Sequence, residues 1–236
     1  WYKGLLEDYR SVSSIIDKHQ PQLVIHTQAM CNLDLCELKP EKTHLINVEA
    51  TEKLLHALNP AQHRLVYVSS EHVFSGNKGD YVEEDQPDPI SVYGRTRCKA
   101  EKLVMQYPGA LIIRPGLVIG ESMQGDIGPR DWLKSRLLKK LKASFFLDEF
   151  RTPIRIHDLI KGILFLVEKQ CSGIYHLASN QKICRYELAL QLSQEMGLSG
   201  DIQKKLRKDD KIVPRIGDCS LDSSKAFSLG FKPSPA

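Results

Sequence analysis

The chain has 236 residues, 42% of them hydrophobic, and a formal net charge of +4 at pH 7. This composition supports one large domain or two smaller ones with a buried core, and it excludes an intrinsically disordered chain. No segment approaches the roughly 18 apolar residues of a membrane-spanning helix, so we expect no membrane binding.

The cysteines and the basic clusters set further limits. The spacing of the six cysteines matches neither a zinc site nor a disulfide framework. We therefore predict a reduced, cytoplasmic protein without a metal centre. The basic residues gathered at 134–142 and 204–208 are interpreted as solvated helix faces, which predicts no nucleic-acid partner.

Apolar strands alternate with amphipathic helices in the first half of the chain. The predicted helices and strands lie at residues 8–19, 22–26, 41–58, 64–70 and 110–115, with a further helix from Tyr93. Leu45, Val48, Leu54 and Leu55 are predicted to face inward. Continuous apolar strands separated by helices indicate an α/β fold with a parallel sheet covered on both faces. Right-handed connections make it doubly wound and Rossmann-like, with its ligand at the carboxyl ends of the strands.

The pattern changes after residue 118. We predict a dinucleotide-binding, Rossmann-like domain over residues 1–118 and a smaller mixed α/β substrate-binding region over 119–236, interleaved with the first around 155–170. The sequence contains no glycine-rich GxGxxG or GxxGxxG turn, which such a sheet uses to hold a pyrophosphate. Either the fold lacks this glycine-rich unit or the unit lies upstream of residue 1. Because residues 1–3 show neither a cap nor a strand pattern, we expect the second.

The stretch SVYGRTRCKAEKLV places Tyr93 at the start of a helix and Arg97 one turn later. A cation at this spacing favours the phenolate and lowers the tyrosine pKa from its usual value of about 10. Ser70 ends a predicted strand that a parallel sheet brings close to Tyr93. The three side chains together predict a group that protonates a carbonyl as the carbonyl accepts hydride. A buried tyrosine beside a surface arginine is the structural alternative.

A longer run of sequence carries a family resemblance. VYVSSEHVFSGNKGDYVEEDQPDPISVYGRTRCKAE resembles the core of the extended short-chain dehydrogenase/reductase family, in its dTDP-4-dehydrorhamnose reductase-like branch. The segments PQLVIHTQAMCNLDLCE, NVEAT, IIRPGLVIG, RTPIRIHDL, GIYHLAS and PRIGDCSLDSSK are similar to further family segments, in the same order. The resemblance covers nearly the whole chain.

The resemblance implies roles for individual residues. The implied catalytic residues are Ser70, Tyr93 and Arg97. The implied contacts to an NADP or NAD cofactor are Thr27, Gln28, Ala29, Ser69, Tyr93, Arg97 and Pro115. The residues assigned to a sugar-nucleotide substrate are Ser70, Glu71, His72, Arg151 and Arg215. Arg151 is assigned because a guanidinium matches a diphosphate, although surface pairing explains it equally well.

The chain departs from the family pattern at several places, one of them Ile119, where the family has a tyrosine before Gly120. Arg97 stands where the family has a lysine that binds the nicotinamide ribose, and a planar guanidinium differs from an ammonium in shape and reach. The run Ser69–His72 reads Ser-Ser-Glu-His where the family has Ser-Thr-Asp-Tyr. The changes at Glu71 and His72 are expected to alter the substrate pocket, whereas serine for threonine at position 70 is not.

Three functions follow from the resemblance. The first is NADP(H)-dependent reduction of a nucleotide-linked 4-keto sugar in carbohydrate biosynthesis. The alternative is a non-catalytic, NADP-binding regulatory protein like the beta subunit of methionine adenosyltransferase, which also resembles this branch. A sugar-nucleotide epimerase or dehydratase is a further alternative. The sequence leaves open the identity of the sugar, NAD against NADP, and assembly as a homodimer.

Overall fold

The computed structural model describes residues 4–122, 128–210 and 213–234. The chain divides into two compact units. The first comprises Trp1–Phe74, Gln86–Arg114 and Gln170–Tyr175, and the second comprises Ser75–Asp85, Pro115–Lys169 and His176–Ala236. The predicted domain boundary after residue 118 stays a prediction. The expectation drawn from residues 1–3 lies outside the described residues.

The first unit alternates helices with strands, as predicted. Its elements are α1 (Tyr9–His19), β1 (Leu23–His26), α2 (Leu33–Leu38), α3 (Pro40–His44), α4 (Ala50–Ala57), β2 (Arg64–Val68), α5 (Val92–Val104) and β3 (Leu111–Pro115). Strand β1 pairs in parallel with β2, and β2 with β3. The strand Gly173–Leu177, which is β8 in chain order, completes a four-stranded sheet of order β1-β2-β3-β8. This confirms the α/β, Rossmann-like fold class.

The core of this unit follows from the local sequence. Asp8 caps helix α1 by accepting a hydrogen bond from the amide of Arg10, which leaves Val12 and Ile16 on the buried face. These side chains pack with buried residues of the sheet and of α4 and α5, among them Leu54, Leu65 and Val104. The face of α5 that includes Tyr93 and Arg97 is thereby held against the sheet.

The predicted helix over residues 41–58 is interrupted. A π-helical turn, Leu45–Glu49, separates α3 from α4. This wider turn shifts the buried face, so that Asn47 and Val48 are buried whereas Leu45 is exposed. The prediction of an inward-facing Leu45 is therefore wrong, because a simple helical repeat does not anticipate the extra residue in the turn.

The second unit contains short strands and longer helices. Its elements are β4 (Val118–Ile119), α6 (Pro129–Leu138), β5 (Ala143–Phe146), β6 (Phe150–Arg151), β7 (Ile154–Arg155), α7 (Ile156–Glu168), β9 (Ile183–Cys184), α8 (Arg185–Glu195), β10 (Ile202–Lys205) and α9 (Ser224–Ser228). Strand β4 pairs in parallel with β7 and β5 with β10, whereas β6 and β9 pair antiparallel. Its core includes Leu133, Leu137, Phe145 and Leu188. None of the helices among the described residues is long and apolar enough to span a membrane.

Candidate active site

Ser70 and Tyr93 lie together in the first unit. Strand β2 ends at Val68, and Ser70 then caps a short 3₁₀ turn by accepting a hydrogen bond from the amide of His72 at 3.2 Å. Ser91 caps α5 in the same way, accepting from the amide of Gly94 at 3.0 Å. The hydroxyl of Ser70 lies close enough to the phenol of Tyr93 to affect its pKa.

Gly94 explains how closely these two segments approach. A methyl group at this position would stand 2.1 Å from the carbonyl oxygen of His72. Only a residue without a side chain therefore lets the first turn of α5 pack on the 3₁₀ turn. The imidazole of His72 meets the ring of Tyr93 edge-on, with the ring centroids 5.4 Å apart.

The environment of Tyr93 shifts its acidity in two directions. Burial raises the pKa of the phenol above its ordinary value, and this effect is the largest. The charge of Arg97 and then the neighbouring hydroxyl of Ser70 act in the opposite direction and lower it. The contribution of Arg97 thus has the predicted sign, but the net pKa of Tyr93 is raised because the ring is only 8% exposed.

Arg97 is buried beneath Tyr93. Its guanidinium donates to the carbonyl oxygen of Gln28 at 3.3 Å and to the carbonyl oxygen of Val68. The guanidinium carbon lies 4.7 Å from the ring centroid of Tyr67 and 5.9 Å from that of Tyr93. The alternative of a surface arginine is excluded by its 1% exposure.

A second buried network, which the sequence pattern did not predict, holds the loop that follows β1. Asn47 accepts a hydrogen bond from the amide of Met30 at 2.7 Å and donates to the carbonyl of Met30 at 3.1 Å. It also donates to the hydroxyl of Thr96, which in turn donates to the carbonyl of Tyr93. The asparagine in the segment NVEAT was the sequence feature that could have indicated this network, but the direction of its side chain depends on the π-helical turn.

The predicted cofactor contacts of the first unit lie at the carboxyl ends of neighbouring strands. Thr27 follows β1 and is exposed, whereas Gln28 and Ala29 are half-buried. Ser69 follows β2, where its amide donates to the carbonyl of Ile113 at 2.6 Å. The hydroxyl oxygens of Ser69 and Tyr67 are buried without a hydrogen-bond partner among the described residues.

The remaining predicted residues are distributed over both units. Glu71 is buried in the 3₁₀ turn and His72 is half-buried beside it. In the second unit Arg151 is 1% exposed and donates to Glu149, at 2.5 Å, and to the carbonyls of Phe150 and Gly217. Arg215 donates to Asp210 at 2.8 Å, and Pro115 ends β3. Their predicted contacts to substrate or cofactor stay predictions.

The parallel sheet, with a serine and a tyrosine at its carboxyl edge, defines a Rossmann-like α/β protein. A family model described as the RmlD substrate binding domain matches residues 4–217, so the chain belongs to that family.

The relatives of this chain include proteins of two kinds. Methionine adenosyltransferase 2 subunit beta of Xenopus laevis is 28% identical over 234 residues, which is 95% of this chain and 70% of that protein. A probable low-salt glycan biosynthesis reductase, Agl14 of Haloferax volcanii, is 29% identical over 81% of this chain and 65% of that protein.

Solved structures share the fold. A hypothetical dTDP-4-dehydrorhamnose reductase from Sulfolobus tokodaii superposes with a TM-score of 0.87 at 31% identity, covering 99% of this chain and 84% of that chain. The dTDP-4-dehydrorhamnose reductase from Bacillus anthracis, in complex with NADP, has a TM-score of 0.88 at 19% identity, covering 98% and 82%. At 19% identity, the similarity to the Bacillus anthracis structure shows a shared fold and nothing further.

Proposed function

We propose that the chain reduces a nucleotide-linked 4-keto sugar with NADP(H). The observation that carries this proposal is the proximity of Ser70 and Tyr93 at the carboxyl edge of the sheet, with the charge of Arg97 behind the phenol. The reductases among the similar proteins support the same reaction class.

The residues present fit the nicotinamide end of a dinucleotide. Ser69 offers a buried hydroxyl oxygen without a partner among the described residues, and the loop after β1 brings Thr27, Gln28 and Ala29 to the same edge. Buried polar atoms of this kind are stabilised when a polar ligand supplies the missing hydrogen bonds. Ser69 and residues 27–29 would therefore hold the cofactor.

Each of these three residues has a distinct task. A nicotinamide cofactor supplies the hydride when it is bound. The raised pKa of Tyr93 keeps its phenol protonated at neutral pH, so the residue acts as the acid that gives a proton to the carbonyl oxygen. Ser70 donates a hydrogen bond to the same oxygen and orients it. The charge of Arg97 stabilises the phenolate that remains after the transfer.

The test uses the full-length protein. NADPH and NADH are titrated by fluorescence, and turnover is measured with dTDP-4-keto-6-deoxy sugar as the probe substrate. We expect Tyr93→Phe to lower kcat by about 100-fold or more while NADPH still binds, because the acid is lost but the ring remains. The matched control is Tyr9→Phe, since Tyr9 lies exposed on helix α1. Full turnover by Tyr93→Phe would show that the mechanism is wrong.

A second candidate is a regulatory protein that binds NADP without catalysis. The relatives named methionine adenosyltransferase 2 subunit beta favour it, and so does the arginine at the family's lysine position. Co-purification of a stoichiometric partner, together with NADPH binding and no turnover, would select this function over the reductase. An epimerase or dehydratase has no specific observation in its favour.

A further inference from the structure

The environment of Arg97 does not suit a side chain that reaches for a ligand. At 1% exposure, its guanidinium requires hydrogen-bond acceptors inside the protein. The described residues provide two, and both are main-chain carbonyls, those of Gln28 and Val68. Its Nε is buried without a partner among the described residues, so the donors that have partners point to backbone.

The two carbonyls belong to neighbouring strand ends. Val68 is the last residue of β2, and Gln28 follows the end of β1 by two residues. The strands pair in parallel, with His26 opposite Tyr67, so the loops that follow them start side by side. One guanidinium therefore joins the loop that carries residues 27–29 to the strand end that carries Ser69 and Ser70.

The shape of the guanidinium is essential to this bridge. Its two terminal nitrogens donate to different segments, one to the loop after β1 and one to the end of β2, and its guanidinium carbon lies 4.7 Å from the ring centroid of Tyr67. A lysine ammonium is a compact point charge that lacks the planar fork and stacks less well on an aromatic ring. A lysine at this position is therefore not expected to hold both carbonyls in the same geometry.

We propose that Arg97 is a positioning residue, which ties the loop after β1 to the end of β2 through two backbone carbonyls and makes no contact with the cofactor ribose. The link between the two segments is inferred from the hydrogen-bond geometry within the first unit alone. Its consequence for NADPH binding rests on the proposed function. Restoration of the family's lysine should accordingly weaken the site of this protein.

The first experiment follows the loop directly. Amide hydrogen exchange is measured on the full-length protein for peptides covering residues 26–31, in Arg97→Lys and Arg97→Met. Both variants should exchange there about tenfold faster than the wild type, since charged hydrogen bonds to the loop are lost. The control is Arg95→Lys on the same helix, because Arg95 is exposed and donates to the carbonyl of Ile90. Wild-type exchange in Arg97→Lys would overturn the proposal.

The second experiment separates positioning from ribose binding. We expect the NADPH dissociation constant to rise at least about fivefold in both Arg97→Lys and Arg97→Met at a temperature well below unfolding. Binding by Arg97→Lys that equals or exceeds that of the wild type, with a loss confined to Arg97→Met, would overturn the proposal. If Arg97→Met does not fold, the NADPH dissociation constant of Arg97→Lys alone tests the proposal. If the wild type binds neither NADPH nor NADH, the proposed function fails, and hydrogen exchange still tests the tie.

Discussion

Substitution of Gly94 by alanine tests whether the contact between α5 and the 3₁₀ turn sets the geometry of the site. The new methyl group would lie 2.1 Å from the carbonyl oxygen of His72 and 2.9 Å from Cβ of Pro89. An ordinary carbon–oxygen contact is about 3.3 Å, so the two backbones must separate by about 1.2 Å. The separation moves Ser70 away from Tyr93, because each lies close in sequence to one of the two segments.

The expected magnitudes differ for stability and for turnover. Overpacking costs about 1–3 kcal/mol, whereas alanine in place of a helical glycine contributes about 1 kcal/mol in favour of folding. We therefore expect the free energy of unfolding to fall by up to about 2 kcal/mol. A displacement of about 1 Å between catalytic groups lowers kcat/KM by about 100-fold.

The assay compares two glycine variants in denaturant unfolding and in NADPH-dependent turnover. Gly162→Ala in α7 is the control, because the nearest atoms there are the terminal carbons of Leu177 and Phe231, side chains that can yield. We expect Gly162→Ala to keep wild-type turnover. If Gly94→Ala keeps turnover within twofold of the wild type while it is fully folded, the close approach does not set the geometry of the site.

Three further predictions concern buried ionisable side chains in the first unit. Glu101→Gln should lower the free energy of unfolding by about 3–5 kcal/mol, because it leaves the guanidinium of Arg114 without its bidentate carboxylate. In denaturant titrations, the double variant Glu101→Leu, Arg114→Met should recover most of the lost stability. Burial and then the charge of Arg97 lower the pKa of His26 to about 4. The unfolded state therefore binds more protons than the folded state below about pH 6.5, and the free energy of unfolding should fall by up to about 3 kcal/mol between pH 6.5 and 4. His26→Gln should remove this pH dependence. If the variant keeps it, His26 is not its origin. Because the pKa of Tyr93 is raised, the rate of carbonyl reduction should stay constant from neutral pH until above about pH 10, and an earlier fall in a pH–rate profile would contradict its role as the acid.

The sequence predicted the elements of the fold because its local signals agree with one another. Asp8 precedes the apolar repeat of α1 and caps the helix, and Ser91 does the same for α5. Continuous apolar strands between these helices predicted a parallel sheet, and the strand order β1-β2-β3-β8 agrees with that fold class. The spacing of Ser70 and Tyr93 predicted their proximity, although their catalytic roles stay predictions.

What depended on packing between distant segments could not be predicted. The π-helical turn at Leu45–Glu49 orients Asn47 toward Met30, 17 residues away, and a helical repeat contains no information about that contact. The net rise in the pKa of Tyr93 likewise comes from burial by other segments, which outweighs the local charge four residues away.

Arg97 shows most clearly which features the sequence determines and which the tertiary structure determines. The sequence by itself determined that a cation follows Tyr93 by one helical turn, since covalent spacing and helix geometry fix that distance. Only the tertiary structure decided where the guanidinium points. The carbonyls of Gln28 and Val68 come within its reach because β1 and β2 pair in parallel, and a fully buried charge must take the acceptors that the folded chain places around it.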